Sequence, residues 1–196
     1  MPLHPKIGHA TARAVVRART TTSTIVALLV LCSAAVNTVK AHDPAQHGFA
    51  MVTFDRPFAA PDFELPALDG TTRSLASWRG HYVLLNFWAT WCPPCLEEMP
   101  SMQSLYKRYA SQQFAVVALS SDKAGAADVQ PFIDKLDVTF PVLLDVDGKI
   151  AGVYGARDLP LSFLIGPDGK VIAAAKGARD WASPQALEVI GEFLEK

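Results

Sequence analysis

The chain is poor in cysteine, with three in 196 residues. Cys32 lies in an apolar segment near the N-terminus, while Cys92 and Cys95 form a single Cys-x-x-Cys. That is too few for a disulfide framework and leaves the pair no distant resolving partner. Histidine is scarce as well, with five in all and none after His81. Zinc held through one Cys-x-x-Cys needs two further Cys or His ligands, so no metal site is expected. A c-type haem attachment needs His directly after the second cysteine, and Leu96 stands there. No cofactor is implied. Acidic residues are missing from residues 1–41, which hold Lys6, Arg13, Arg17, Arg19 and Lys40. The rest carries 13 Lys and Arg against 19 Asp and Glu, a balance of −6. A mildly acidic body is not the footprint of a nucleic-acid binder.

The apolar run Ile25 to Val36 has 12 residues. As a helix it covers about 18 Å, short of a hydrocarbon core of ~30 Å. A basic, Thr-rich stretch precedes it and Val39-Lys40-Ala41 follows, the three-part layout of a secretory signal. Borrowing Thr20–Thr24 and Asn37–Val39 would stretch it into an uncleaved anchor. Residues 1–41 thus read as a signal peptide or an N-terminal membrane anchor, and residues 42–59 as a linker with Pro44, Gly48 and Pro57 and no steady period. Residues 60–196 read as the folded domain.

Pro61–Leu65 alternates like a short strand, and Asp69-Gly70 signals a hairpin turn into Thr71–Ser74. Ser74 can cap a short helical turn ended by Gly80. Tyr82–Trp88 is almost continuously apolar, the mark of a strand buried on both faces. From Pro94 the spacing turns helical, with Leu96, Met99, Met102, Leu105 and Tyr109 on one side and Pro100 inside as a predicted kink. Phe114–Leu119 predicts a second buried strand, Ala126–Leu136 a second helix and Phe140–Leu144 a short extended piece. Ser162–Ile165 and Lys170–Ala175 flank Pro167-Asp168-Gly169 as a hairpin, and Ser183-Pro184 opens a last helix. Alternating strands and helices closed by an antiparallel pair predict an α/β domain with a central mixed sheet.

A Cys-x-x-Cys after a buried strand, at a helix start, has a mechanical meaning. The sulfurs can bond across one turn. Cys92 faces the positive end of the helix and its unpaired N–H groups, which favour the thiolate. Cys92 is the expected nucleophile. Cys95, one turn further in and more buried, is the expected resolving thiol. Pro93 and Pro94 remove two N–H groups and stiffen the loop. Trp88 and Trp91 bracket the pair. Trp91 is expected over the disulfide and Trp88 inside, though both can be plain core aromatics.

The stretch from Asn86 to Cys95 (NFWATWCPPC), with Glu98-Met99-Pro100, resembles the TlpA/ResA-type branch of the thioredoxin superfamily. The likeness runs from about Ala60 to the C-terminus through PDFELPALDGTTRSL, FPVLLDVDGKIAGVYG and LPLSFLIGPDGKV. It implies a thioredoxin fold with an added N-terminal β-hairpin, and a thiol:disulfide oxidoreductase. It also implies a cis bond before Pro160, facing the sulfurs and leaving Leu159 to pair with an extended substrate. An ordinary strand-start proline is the alternative. Trp91, Pro93, Pro94, Leu159 and Pro160 form the implied substrate-facing set. Leu161 follows the proline where many relatives have Thr. Relatives of this branch place a buried glutamate at the position of Glu98. One helical turn after Cys95, it is the expected acid/base for that thiol, with burial raising its pKa. A solvated helix carboxylate is the alternative and suits Glu97 better. Asn86 stands where ordinary thioredoxins carry a proton-handling Asp.

The resemblance further implies a reductase in the periplasm or on the outer face of the cytoplasmic membrane. Its clients would be protein disulfides, such as those of apocytochrome c or of copper-site cysteines, and its electron donor a membrane thiol carrier of the DsbD/CcdA kind. DsbE/CcmG reductases are the near variant. A peroxiredoxin-like peroxidase shares the fold but needs Thr three residues before its cysteine, where Ala89 stands. A copper chaperone of the Sco type needs a wider cysteine spacing and a later His, and this chain has neither.

Overall fold

The computed structural model describes residue 49 and residues 51–195. The signal or anchor read over residues 1–41 lies outside the described residues. Among those described, no helix is long and apolar enough to cross a membrane.

Strands β1 (Val52–Ala59) and β4 (Tyr82–Trp88) to β8 form one mixed sheet in the order β1-β8-β7-β4-β5-β6. Here β5 is Phe114–Ser120, β6 Val142–Leu144, β7 Leu161–Ile165 and β8 Lys170–Lys176. β4 runs parallel to β5 and antiparallel to β7, and β5 runs parallel to β6. The expected N-terminal hairpin is present as β2 (Glu64–Pro66) and β3 (Thr72–Ser74), a separate two-stranded sheet. Its turn is held by Asp69, whose carboxylate accepts the Thr71 N–H at 2.9 Å. Ala67 bridges to Leu143 beside the edge strand β6.

Period-two alternation in β4 and β5 divides the interior in two. Leu84, Trp88, Val116 and Ala118 meet Met99, Met102, Leu105 and Tyr109 of α1 (Pro93–Tyr109). Val129 and Ile133 of α2 (Ala126–Lys135), and Val189 and Ile190 of α4 (Pro184–Leu194), join that core. Val83, Leu85, Phe87, Val117 and Leu119 pack instead against Phe63, Leu75 and Ala151. Asn86, in step with Leu84 and Trp88, therefore points toward α1. α1 continues through Pro100 to Tyr109. α4 opens as expected, with the Ser183 hydroxyl accepting the Ala186 N–H at 3.2 Å.

Two expectations need correcting. The linker read over residues 42–59 gives way to β1 from Val52, antiparallel to β8, and Phe49 and Met51 ahead of it are buried. β1 is an edge strand with mostly exposed side chains, so it lacks the alternation that marks a half-buried strand. Pro57 sits between Thr53 and Phe58, where the register shifts, a place that tolerates a residue without N–H. The second correction is a helix, α3 (Lys149–Val153), that the sequence pattern did not show. Five residues are too few for a helical period. Its start is fixed by buried Asp145, which accepts the N–H groups of Ile150 and Ala151 at 3.2 and 2.8 Å.

Candidate active site

β4 ends at Trp88 and delivers the chain, through Ala89-Thr90-Trp91, to Cys92, the residue that caps α1. Cys92 and Cys95 are joined as a disulfide with Cα atoms 5.3 Å apart. Cys92 is 5% exposed and Cys95 fully buried, in the order expected for an entering and a resolving thiol. Trp91, Pro93 and Pro94 lie on the surface, Trp91 with 67% of its area exposed. Trp88 is fully buried, and its indole nitrogen has no hydrogen-bond partner among the described residues.

The expectation of unpaired N–H groups at the first sulfur is not met in this disulfide form. Pro93 and Pro94 supply none. The Cys92 N–H donates to Ala89 O at 3.2 Å, and those of Cys95 and Leu96 donate to Cys92 O at 3.0 and 3.3 Å. What acts on Cys92 from the helix is therefore its summed dipole rather than a dedicated donor.

Pro160 stands at the same end of the sheet. β7 begins at Leu161, paired with Phe87, so the chain just before it lies where β4 leaves for Cys92. The Leu159–Pro160 peptide bond is cis. Leu159 is half-buried and Pro160 buried.

Glu98 is 2% exposed and sits one turn beyond Cys95. Asn86 Nδ2 donates to its Oε1 at 2.8 Å and to Ser162 Oγ at 3.0 Å. Oε2 accepts from the Arg179 N–H and from Trp181 Nε1, each at 3.1 Å. Burial pushes the carboxyl above the usual glutamate range, and the donors from Trp181, Asn86 and Arg179 oppose it without cancelling it. Glu97, in contrast, is exposed. A buried carboxyl with raised proton affinity, next to a thiol that must gain and lose a proton, is suited to acid/base work.

Two features of this neighbourhood were missed by pattern reading. Asp122, 2% exposed, clamps the loop that carries Cys92. It accepts the Thr90 N–H at 3.0 Å, the Thr90 hydroxyl at 2.6 Å and the Ser120 hydroxyl at 2.7 Å. A signal was available. Ser120-Ser121-Asp122 is a polar cluster at the C-terminal end of a buried parallel strand, where α/β folds place their sites. Trp181 had no such signal, because nothing local shows that its ring folds back onto α1.

The sequence pattern of the AhpC/TSA family matches residues 58–174. A thiol-disulfide oxidoreductase ResA from Bacillus thuringiensis subsp. konkukian is 42% identical over 137 residues, covering 70% of this chain and 75% of that protein. Among solved structures, a Chlorobium tepidum protein provisionally assigned as thiol:disulfide interchange protein DsbE aligns with a TM-score of 0.63 at 34% identity. That alignment covers 73% of this chain and 97% of the other. StoA from Bacillus subtilis aligns with a TM-score of 0.56 at 28% identity, over 69% of this chain and 97% of its own.

Proposed function

The chain belongs to the AhpC/TSA family as a thiol-disulfide oxidoreductase of the ResA, DsbE and StoA type, and from that premise we propose that it is an extracytoplasmic reductase of protein disulfides. The observation that carries this reading is the Cys92–Cys95 pair on the first turn of α1, with the resolving sulfur buried one turn from a buried glutamate.

In the dithiol form, the Cys92 thiolate attacks one sulfur of a client disulfide. A mixed disulfide forms, and the other client sulfur leaves as a thiolate. Glu98 takes the Cys95 proton. Cys95 then attacks Cys92 Sγ, closing the Cys92–Cys95 disulfide and releasing the second client thiolate. Two electrons have passed to the client. Trp91, Pro93 and Pro94 form the surface on which the client lies, and Leu159, next to cis-Pro160, pairs with its extended backbone. A dithiol donor of the DsbD/CcdA kind in the membrane restores the reduced form. Clients of this chemistry are cysteine pairs that must be free to bind haem or copper, as in the maturation of cytochrome c or of an oxidase. The basic, then apolar, N-terminal stretch supports export or anchoring of the domain on the outer side of the membrane.

The family also embraces peroxidases, but that chemistry finds no support here. Ala89 occupies the position their threonine needs, and the hydroxyl of Thr90 is committed to Asp122.

The test is capture. A Cys95→Ala variant should accumulate a mixed disulfide between Cys92 and a peptide carrying an intramolecular disulfide, and a Cys92→Ala variant should not. Equal trapping by both variants, or by neither, overturns the assignment of the two thiols.

A further inference from the structure

Glu98 is carried on α1, but its Oε2 is held by a distant stretch of chain. The Arg179 N–H and Trp181 Nε1 that donate to it both lie in the loop between β8 and α4. Ser101 ties that loop to α1 again. Its hydroxyl accepts the Trp181 N–H at 3.0 Å and donates to the Glu98 carbonyl at 2.7 Å. The Trp181 ring is fully buried and meets the ring of Phe49 in a T-shaped contact, centroids 5.3 Å apart. Phe49 precedes β1 and is itself 3% exposed.

We propose that Trp181 is a positioning residue of the redox centre: its indole N–H fixes the Glu98 carboxylate and favours the ionised form, and Phe49 holds the ring in the orientation that permits this. The proposal rests on the reading of Glu98 as the acid/base for Cys95.

The indole N–H can only donate. It bonds strongly to a carboxylate and more weakly to a neutral acid, since hydrogen bonds to charged acceptors are about twice as strong. The Arg179 N–H is donor-only as well, but it belongs to the backbone and no side-chain change removes it; the side-chain partners on the other side are less selective. The Asn86 amide offers an acceptor as well as a donor, its Oδ1 having no partner among the described residues, and the Ser162 hydroxyl can rotate. Among the side chains that bond Glu98, Trp181 alone has no such choice. Its bond is also the largest influence opposing burial at Glu98. The charged groups facing the same place are few. The Arg179 guanidinium favours the carboxylate. Glu97 and Asp180 border the cleft between α1 and the loop, together with Ser101 and Ala178. β4 and β7 present neutral Asn86 and Ser162, and on α1 itself Cys95 lies one turn before Glu98. With the indole donor removed, burial is less opposed and Glu98 keeps its proton to higher pH.

A Trp181→Phe variant keeps an aromatic ring against Phe49 and removes the donor, together with part of the buried indole volume. The Glu98 titration is read directly from the side-chain carboxyl resonance by ¹³C NMR. In parallel, Cys95 alkylation is followed against pH in the reduced protein. Both measurements are made on full-length wild type, Trp181→Phe and Phe49→Leu, and alkylation also on Glu98→Gln and the Glu98→Gln/Trp181→Phe double variant. Trp181→Phe should raise the Glu98 midpoint by about one pH unit, and the Cys95 profile should follow. In the Glu98→Gln background, Trp181→Phe should have no further effect on that profile. Phe49→Leu should shift Glu98 in the same direction by less, with Trp181 still present, and an unmoved midpoint there removes Phe49 from the proposal. If Trp181→Phe leaves the Glu98 resonance where it is while Glu98→Gln still alters Cys95, the Trp181 assignment is wrong and the acid/base reading stands. If Glu98→Gln leaves Cys95 unchanged, the reading beneath the proposal fails, whatever Trp181→Phe does to the resonance.

Discussion

Asn86 and Glu98 meet across the junction of β4 and α1, the amide of one donating to the carboxyl of the other at 2.8 Å. An asparagine at this point adds a hydrogen bond without a second charge. Asn86→Asp would put two carboxyls in contact in a buried place, where they resist ionising together. The variant should lose about 1–3 kcal/mol of stability, more at pH 8 than at pH 5. Urea unfolding at the two pH values checks it, and an equal loss at both contradicts it.

Glu98 itself makes a signed prediction about pH. Its folded-state pKa is raised, chiefly by burial, so the native protein binds this proton more tightly than the unfolded chain does. The associated stability is fully present below the unfolded glutamate pKa and is lost as pH rises through the higher folded value. Glu98→Gln has no such loss. Its urea midpoint should gain on wild type as pH rises through that window, and the difference should then stay constant. In thiol exchange the same variant should slow the Cys95 step by up to about 100-fold, measured by stopped-flow release of the mixed disulfide.

Asp122 holds the loop rather than the sulfurs. Asp122→Ala strands the Thr90 N–H and the Ser120 hydroxyl, at a cost of about 2–4 kcal/mol. Thr90→Val loses only the hydroxyl contact and should cost about 1 kcal/mol. Because the loop carries Trp91 and Cys92, both variants should exchange more slowly with a protein disulfide than their fold loss explains. Thermal unfolding together with exchange rates below the melting range separates the two effects.

Phe49, Met51 and β1 are structural. A chain beginning at residue 60 lacks β1 together with buried Phe49 and Met51. It should be less stable than a chain beginning at residue 42 by several kcal/mol, since each large buried side chain removed costs about 2–5 kcal/mol. Equal urea midpoints for the two chains would restore the linker reading.

The contrast between these cases shows what pattern carries. β4, α1 and β5 were legible because burial on both faces, or on one helical stripe, leaves a period in the residues themselves. The Cys-x-x-Cys was legible because its chemistry is local. β1 was not, because an edge strand open to solvent on most positions has no period to read, and Pro57 masks it further. α3 is too short to repeat. Glu98 is singled out by its one-turn distance from Cys95 together with the family resemblance. Its partners Arg179 and Trp181 lie about 80 residues away and become neighbours only through the packing of the β8–α4 loop on α1. Asp122 falls between these extremes, with a local polar cluster marking the place but not the partner.

The proposed chemistry requires Cys92 and Cys95 to pass two electrons together. Equilibrating the protein in glutathione buffers of graded potential, extended to more reducing values with dithiothreitol, followed by alkylation and mass mapping, reads both thiols at once. We predict a single two-electron transition in which the two cysteines change in step, with a midpoint more reducing than about −200 mV. Thiols that stay unchanged across the whole range would contradict the chemistry, and a midpoint near −120 mV, that of a strong oxidant, would contradict the proposed direction.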